Sequence, residues 1–155
     1  MKKIVGLTAV FLIVVGVMLS GQAMAQPLAK HLVDSKPGEA VLISLGEWFA
    51  ANPLKEGKIR TDRVYESSRD TINLLVIKDT TIGRHLHTTV DEIVYVYKGS
   101  GEMNINGKWV PIKAGDLHVC PRGVAHSTRA GNEELWVISI FSPPMPAAGD
   151  RVTIE

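Results

Sequence analysis

From residue 60 onward, short apolar runs alternate with clusters of Gly, Asp, Asn and Pro. Residues 63–67, 71–77, 93–98, 102–105, 109–112, 117–120 and 135–141 are rich in Val, Ile, Leu and aromatics, which suits a pleated, half-buried strand. Asn106-Gly107 separates the fourth run from the fifth, and this dipeptide favours the type I′ turn of a two-residue hairpin. No stretch after Asn52 has the length and 3.6-residue period of a crossover helix. That excludes a parallel α/β sheet. The pattern predicts an all-β fold, an antiparallel sandwich or barrel.

The region before residue 60 reads differently. Ser44-Leu45-Gly46-Glu47 has the form of a capping box, followed by Trp48, Phe49, Ala50 and Ala51, and Asn52-Pro53 stops the run. A helix of about two turns is expected, docking Trp48 or Phe49 on the main body. Residues 26–43 are weakly patterned, with a turn at Ser35-Lys36-Pro37-Gly38. At the start, Met1-Lys2-Lys3 precedes sixteen almost wholly apolar residues, 4–19, and then Ala23-x-Ala25. A cationic start, an apolar stretch and small residues at the end form a secretory leader. Leu19-Ser20-Gly21 is followed by Gln22 and not Cys, so no lipid anchor is expected. Export to the periplasm or medium is expected, with Gln26 as the new first residue and no membrane partner after cleavage.

Removing the leader changes the charge. The whole chain carries seventeen Lys and Arg against sixteen acidic residues, a formal charge of +1. Both leader lysines leave with it, which gives −1 for the remaining 130 residues. With no basic block, sequence-independent nucleic-acid binding is not expected. The single cysteine, Cys120, rules out an intrachain disulfide framework and a multi-cysteine zinc cluster. A chain of this length buries roughly two-thirds of its unfolded surface, enough for one core. The organisation expected is a leader (1–25), an N-terminal arm with a short helix (26–59), and a β domain with its tail (60–155).

Candidate chemistry gathers in two places. His85-Leu86-His87 lies in extended sequence, so both imidazoles point to one face. Glu92 comes five residues after His87, an odd step that a turn or bulge through residues 88–91 must correct. Gly99 follows after six intervening residues. Later come Gly115, Pro121-Arg122-Gly123 and His126. Three imidazoles and one carboxylate suit a divalent first-row transition metal better than Ca²⁺ or a thiolate-seeking ion.

This arrangement resembles the cupin superfamily, whose motifs are written G-(X)5-H-X-H-(X)3,4-E-(X)6-G and G-(X)5-P-X-G-(X)2-H-(X)3-N. Eight positions match with their internal spacing: His85, His87, Glu92, Gly99, Gly115, Pro121, Gly123 and His126. Two depart, because Asp79 stands where the leading Gly belongs and Ala130 where the trailing Asn belongs. The resemblance covers residues 71–141. It implies a cupin-type β-barrel, or jelly-roll, with the short N-terminal helix outside. It also implies a metal site made of His85, His87, Glu92 and His126, and a homodimer. Mn, Fe, Cu, Ni and Zn all accept this ligand set. Metal affinity is expected to fall as pH drops through roughly 6.5 and the imidazoles protonate.

Weaker candidates surround this set. His118 and Cys120 share one strand face and are possible cavity contacts, with Cys120 read as a small buried hydrophobe. Arg84 and Arg122 are possible contacts for a carboxylate-bearing substrate, as is Arg129, although solvated surface arginine is the plainer reading. Tyr95 and Tyr97 face away from Glu92 and suit sheet packing or a subunit contact. His31 is expected to be exposed. Similar cupins include oxygenases, lyases, decarboxylases, isomerases and binding proteins, so the fold alone does not select a reaction. The expected function is a small metalloenzyme acting on an oxygen-chelating small organic molecule. The alternatives are a non-catalytic binding or metal-handling protein of the cell envelope, and a structural cupin with a degenerate cavity.

Overall fold

The computed structural model describes residues 40–154. The expected leader, its cleavage point and His31 lie outside the described residues. The chain runs α1 (Leu45–Ala51), β1 (Ile59–Glu66), β2 (Thr71–Ile77), β3 (Thr80–His87), β4 (Asp91–Lys98), β5 (Ser100–Ile105), β6 (Lys108–Lys113), β7 (Leu117–Cys120), β8 (His126–Ala130), β9 (Leu135–Ser142) and β10 (Arg151–Thr153). Every strand pair is antiparallel. The strands form two five-stranded sheets, in the orders β1-β2-β9-β4-β7 and β10-β3-β8-β5-β6. Only the β1–β2 and β5–β6 connections stay within one sheet. All others cross from one sheet to the other, which makes a jelly-roll. The two sheets do not join into one closed barrel, an arrangement consistent with the expected antiparallel jelly-roll. The edge strands β7 and β10 are short, with four and three residues.

Inner faces of the sheets enclose an apolar core of Ile77, Val94, Val96, Met103, Leu135 and Val137. A second cluster lies on the outer face of the first sheet. There α1 buries Trp48 and Phe49 on Val64, Leu74 and Val76. The Phe49 ring stacks on Trp136 (4.6 Å between centroids) and on Tyr97 (5.6 Å). Both aromatics of the helix are therefore anchors. Tyr97 belongs to the sheet packing, whereas Tyr95 is exposed. Ser44 sits at the N-cap but its side chain makes no capping bond, so the sequence signal marked the start without forming the box. Asn52 ends the helix by donating its side-chain amide to the Trp48 carbonyl at 2.7 Å.

Backbone conformation explains one departure from the family motif. Asp79, at the leading glycine position, has φ +47° and joins β2 to β3 across the two sheets. Asp is among the few residues that tolerate this left-handed conformation, so the turn survives without glycine. Asn106 and Gly107 both have positive φ, as the expected hairpin requires.

Three strands escaped the hydrophobic pattern. β3 places histidines inward, β8 (His-Ser-Thr-Arg-Ala) has no large apolar residue, and β10 is three residues long. Two of these missing strands carry three of the four candidate ligands.

Candidate metal centre

The ladder between β3 and β8 sets His85 directly opposite His126. Strand alternation puts His87 on the same inner face as His85. Residues 88–90 then carry the chain from the second sheet to the first, where Glu92 points back at the imidazoles. The odd five-residue step is resolved by this change of sheet. Ligating atoms of His85, His87, Glu92 and His126 all lie within 4.8 Å of one another, and all four residues are buried. His126 Nε2 lies 2.9 Å from Glu92 Oε2, and His87 Nε2 lies 3.6 Å from the same oxygen.

Backbone carbonyls orient two of the rings. Nδ1 of His85 is 2.8 Å from the Gly83 carbonyl oxygen, and Nδ1 of His126 is 3.0 Å from that of Val124. An N–H on each Nδ1 leaves Nε2 as the lone-pair donor, the usual second-layer support of a metal-binding histidine. His87 is held differently: Phe141 meets its ring edge-on at 5.3 Å, and its Nδ1 is buried without a hydrogen-bond partner. Histidine–metal bonds of about 2.0–2.2 Å place opposite ligands roughly 4.2 Å apart, so small rotamer adjustments draw this cluster onto one ion. The donor set fits a divalent first-row metal.

Protonation within the cluster is shaped by burial and by mutual contact. Burial pushes His85 down to about 4, against a smaller upward effect of its Gly83 bond. Burial would raise the Glu92 carboxyl, but hydrogen bonds from His126, His87 and Ser139 outweigh it and hold the group well below the usual range. Burial would lower His126. Its contacts with Cys120, Glu92 and the Val124 carbonyl together raise it well above the ordinary imidazole range. Without metal, His126 and Glu92 form a buried imidazolium–carboxylate pair.

The cluster opens into a cavity of about 260 Å³ between the sheets, with a floor that includes Leu75, Ile77, Val94, Met103 and Val137. At its rim the segment after β9 contributes Met145, Gly149, Asp150 and Arg151. Asp150 receives five hydrogen bonds from the turn between His87 and Glu92. Thr88 donates its amide and hydroxyl to Oδ1 at 2.7 and 2.8 Å. Thr89 donates the same groups to Oδ2 at 3.0 and 2.9 Å, and the Val90 amide adds a bond of 3.1 Å. Burial would raise this carboxyl, but the Thr88 and Thr89 bonds hold it well below its ordinary range. Neither Asp150, Arg151 nor Ser139 carried a signal in the sequence. Asp150 lies about sixty residues from the turn it holds, and β10 has no strand pattern.

The other expected contacts are placed unevenly. His118 lines an adjoining cavity of about 250 Å³ and not the one at the cluster. Burial, then the positive charge of His126, lowers its pKa. Cys120 is buried, as expected of a small hydrophobe, and its thiol lies 3.6 Å from the Val124 carbonyl that also orients His126. Arg84 lies on the opposite face of β3 from His85 and does not line the cluster's cavity. Arg122 is exposed; its amide donates to Asp91 at 2.9 Å, outside the cavity. Arg129 pairs with Glu102 at 2.6 Å over the Trp109 ring, also outside. Alternation on β3 and the pairing of Arg122 and Arg129 with nearby carboxylates account for these placements, which follow the plainer reading of the three arginines.

Comparison with known proteins accords with this geometry. The model of the cupin domain family matches residues 74–141. An uncharacterized protein of Aquifex aeolicus is 32% identical over 104 residues, covering 65% of this chain and 84% of that one. The oxalate-binding protein of Thermotoga maritima is 39% identical over 63 residues, or 40% of this chain, and the match spans only 52% of that protein's length. A Klebsiella pneumoniae protein with a double-stranded β-helix domain superposes with a TM-score of 0.63 at 22% identity, covering 76% of this chain and 99% of that one. This chain belongs to the cupin superfamily.

Proposed function

We propose that this protein is an exported cupin metalloprotein. It holds a divalent transition ion through His85, His87, Glu92 and His126 and acts on a small, oxygen-chelating organic molecule. Convergence of four ligating atoms from three strands, within 4.8 Å, carries the reading. A bound divalent ion would supply Lewis acidity, with positions left open by four protein ligands for oxygen donors of a substrate. The chain's own residues divide the remaining work. Gly83 and Val124 fix the ring orientations of His85 and His126, and Glu92 lowers the net charge of the site. The apolar floor lowers the local dielectric beside the cluster and strengthens its electrostatics. A cavity of about 260 Å³ is smaller than typical drug-sized pockets, which limits the ligand to a few heavy atoms.

A second reading, a non-catalytic envelope binding protein, is favoured by the similarity to the Thermotoga maritima oxalate-binding protein. Metal analysis of protein purified from its native compartment, followed by incubation with small organic acids in air and under argon, tests both readings. Substrate-dependent O₂ uptake or anaerobic turnover supports an enzyme. Saturable binding without turnover supports the binding protein. Protein that retains none of Mn, Fe, Ni, Cu or Zn overturns the metal-site reading. Export is part of the proposal and rests on residues 1–25 of the sequence. N-terminal sequencing should begin at Gln26, whereas a Met1 start in membrane-bound material contradicts it.

A further inference from the structure

One charged group at the cavity has no partner of opposite charge among the described residues, a condition it shares with Arg69 and Arg84, which do not line the cavity. Of the carboxylates that line it, Glu92 is engaged with His126 and Asp150 gives both oxygens to the 88–90 turn. Arg151 is the one Lys or Arg among the described residues lining this cavity. Arg60, Arg63, Arg122 and Arg129 each have a carboxylate within 4 Å. Arg151 has no such partner among the described residues. Its protein contact is a 2.9 Å hydrogen bond from Nη2 to the Gly83 carbonyl. A guanidinium has five N–H donors, so most of this fork remains available to a ligand.

That contact also fixes where the fork lies. The Gly83 oxygen simultaneously accepts from His85 Nδ1, and the β10–β3 ladder sets Arg151 opposite His87. Arg151 is therefore tied to the strand that carries two of the candidate ligands, at the rim of the space they face. A divalent ion balanced by Glu92 leaves one positive charge at the cluster, and Arg151 places a second at the rim, where the ionised Asp150 has both oxygens turned onto the 88–90 turn and away from the free part of the fork. Two separated positive centres, in a space of about 260 Å³, match a small molecule with two negative ends.

We propose that Arg151 is the anion-recognition residue of this cavity and that the ligand class is a short dicarboxylate. One carboxylate faces the His85–His87–Glu92–His126 cluster and the other pairs with the Arg151 guanidinium. The proposal deepens the metal-site reading and rests on it. The C-terminal strand β10 then sets specificity and does more than close a sheet edge.

Calorimetric titration of the Zn²⁺-loaded protein with malonate and with acetate tests this, using the wild type, Arg151→Gln and Arg151→Lys. Zn²⁺ affinity is measured separately for each. Wild type should bind malonate at least about tenfold more tightly than acetate, as one charge-assisted contact at an exposed rim allows. Arg151→Gln should remove that preference while leaving acetate binding and Zn²⁺ affinity within about twofold, and Arg151→Lys should restore part of it. An unchanged malonate preference in Arg151→Gln overturns the proposal. So does a parallel loss of Zn²⁺ affinity, which would make Arg151 a support for Gly83 and His85. A wild type that binds Zn²⁺ but neither acid overturns the ligand class and leaves the metal site standing. Failure to bind Zn²⁺ or any other divalent transition ion overturns the metal-site reading, and this proposal with it.

Discussion

His85 and His126 face each other across one ladder, yet their surroundings push their protonation in opposite directions. His85 is neutral down to about pH 4 in the folded protein, whereas in the unfolded chain it takes up a proton near its ordinary value of 6.5. Stability of the metal-free protein should therefore fall as pH drops from about 6.5 toward 4. Glu92, held low, adds a loss through the carboxylate range. His126, held high, contributes fully below its ordinary value of 6.5 and loses that contribution progressively as pH rises from there to about 10. Urea unfolding of chelator-treated protein should show a maximum near neutrality. His85→Gln should flatten the slope between pH 4 and 6.5, and an unchanged slope would contradict this account. His87→Ala should keep the fold, since the ring's Nδ1 has no partner to orphan, and should weaken metal binding at least about 100-fold. Metal retained after gel filtration, with near-UV circular dichroism as the fold control, measures both effects. His31→Ala should change neither. All four candidate ligands were legible, His85 and His87 because alternation on extended backbone sets both on one face, and Glu92 and His126 through the resemblance to the cupin motifs. Asp150 and Arg151 were not, because only tertiary pairing of a three-residue strand brings them to the site.

Among the elements, the 88–90 turn matters most, since it carries the chain between the sheets and separates His87 from Glu92. Three short residues make that crossing, and Asp150 satisfies all three of their amides. The arrangement resembles a helix N-cap, in which one side-chain acceptor satisfies backbone N–H groups without neighbours. Asp150→Ala should cost about 1–2 kcal/mol of stability and lower metal affinity about tenfold by loosening the angle between His87 and Glu92. Urea midpoints and metal titration give the two numbers. Hydrogen exchange at the Thr88, Thr89 and Val90 amides locates the effect, and wild-type protection there in the variant would refute the clamp. Strands with apolar inner faces, such as β2 and β9, were legible in the sequence. β3 and β8 were legible only through their histidines, because imidazoles and hydroxyls occupy the inward positions that apolar residues hold elsewhere. A strand that lines a polar site loses the periodic signal by which strands are recognised.

At the scale of the whole molecule, the apolar core and the candidate site share one inter-sheet space, with Ile77, Val94, Met103 and Val137 serving as core and as cavity floor. The sequence pattern favoured two antiparallel layers or a barrel without deciding closure, because closure depends on whether short edge strands meet. The ligands bridge those layers, with three histidines on one sheet and Glu92 on the other. An ion held by all four would act as a cross-link between sheets whose backbone ladders do not join. Metal should therefore raise the melting temperature of the whole domain and not only order a loop. At a free metal concentration of about 100 Kd the gain is roughly 2.7 kcal/mol, or about 10 °C for a domain of this size. The gain should also depend on pH with a definite sign. In the metal-free protein His126 keeps its proton well above the ordinary imidazole range, and metal must displace it. Affinity should therefore rise up to about tenfold per pH unit from pH 6 to 8, instead of levelling off above 6.5 as free imidazoles would. Melting curves at fixed free Zn²⁺, with and without chelator, at pH 6, 7 and 8 test this. A shift that is the same at all three values, or confined to one sheet by hydrogen exchange, would mean that the ion does not bridge His126 and Glu92.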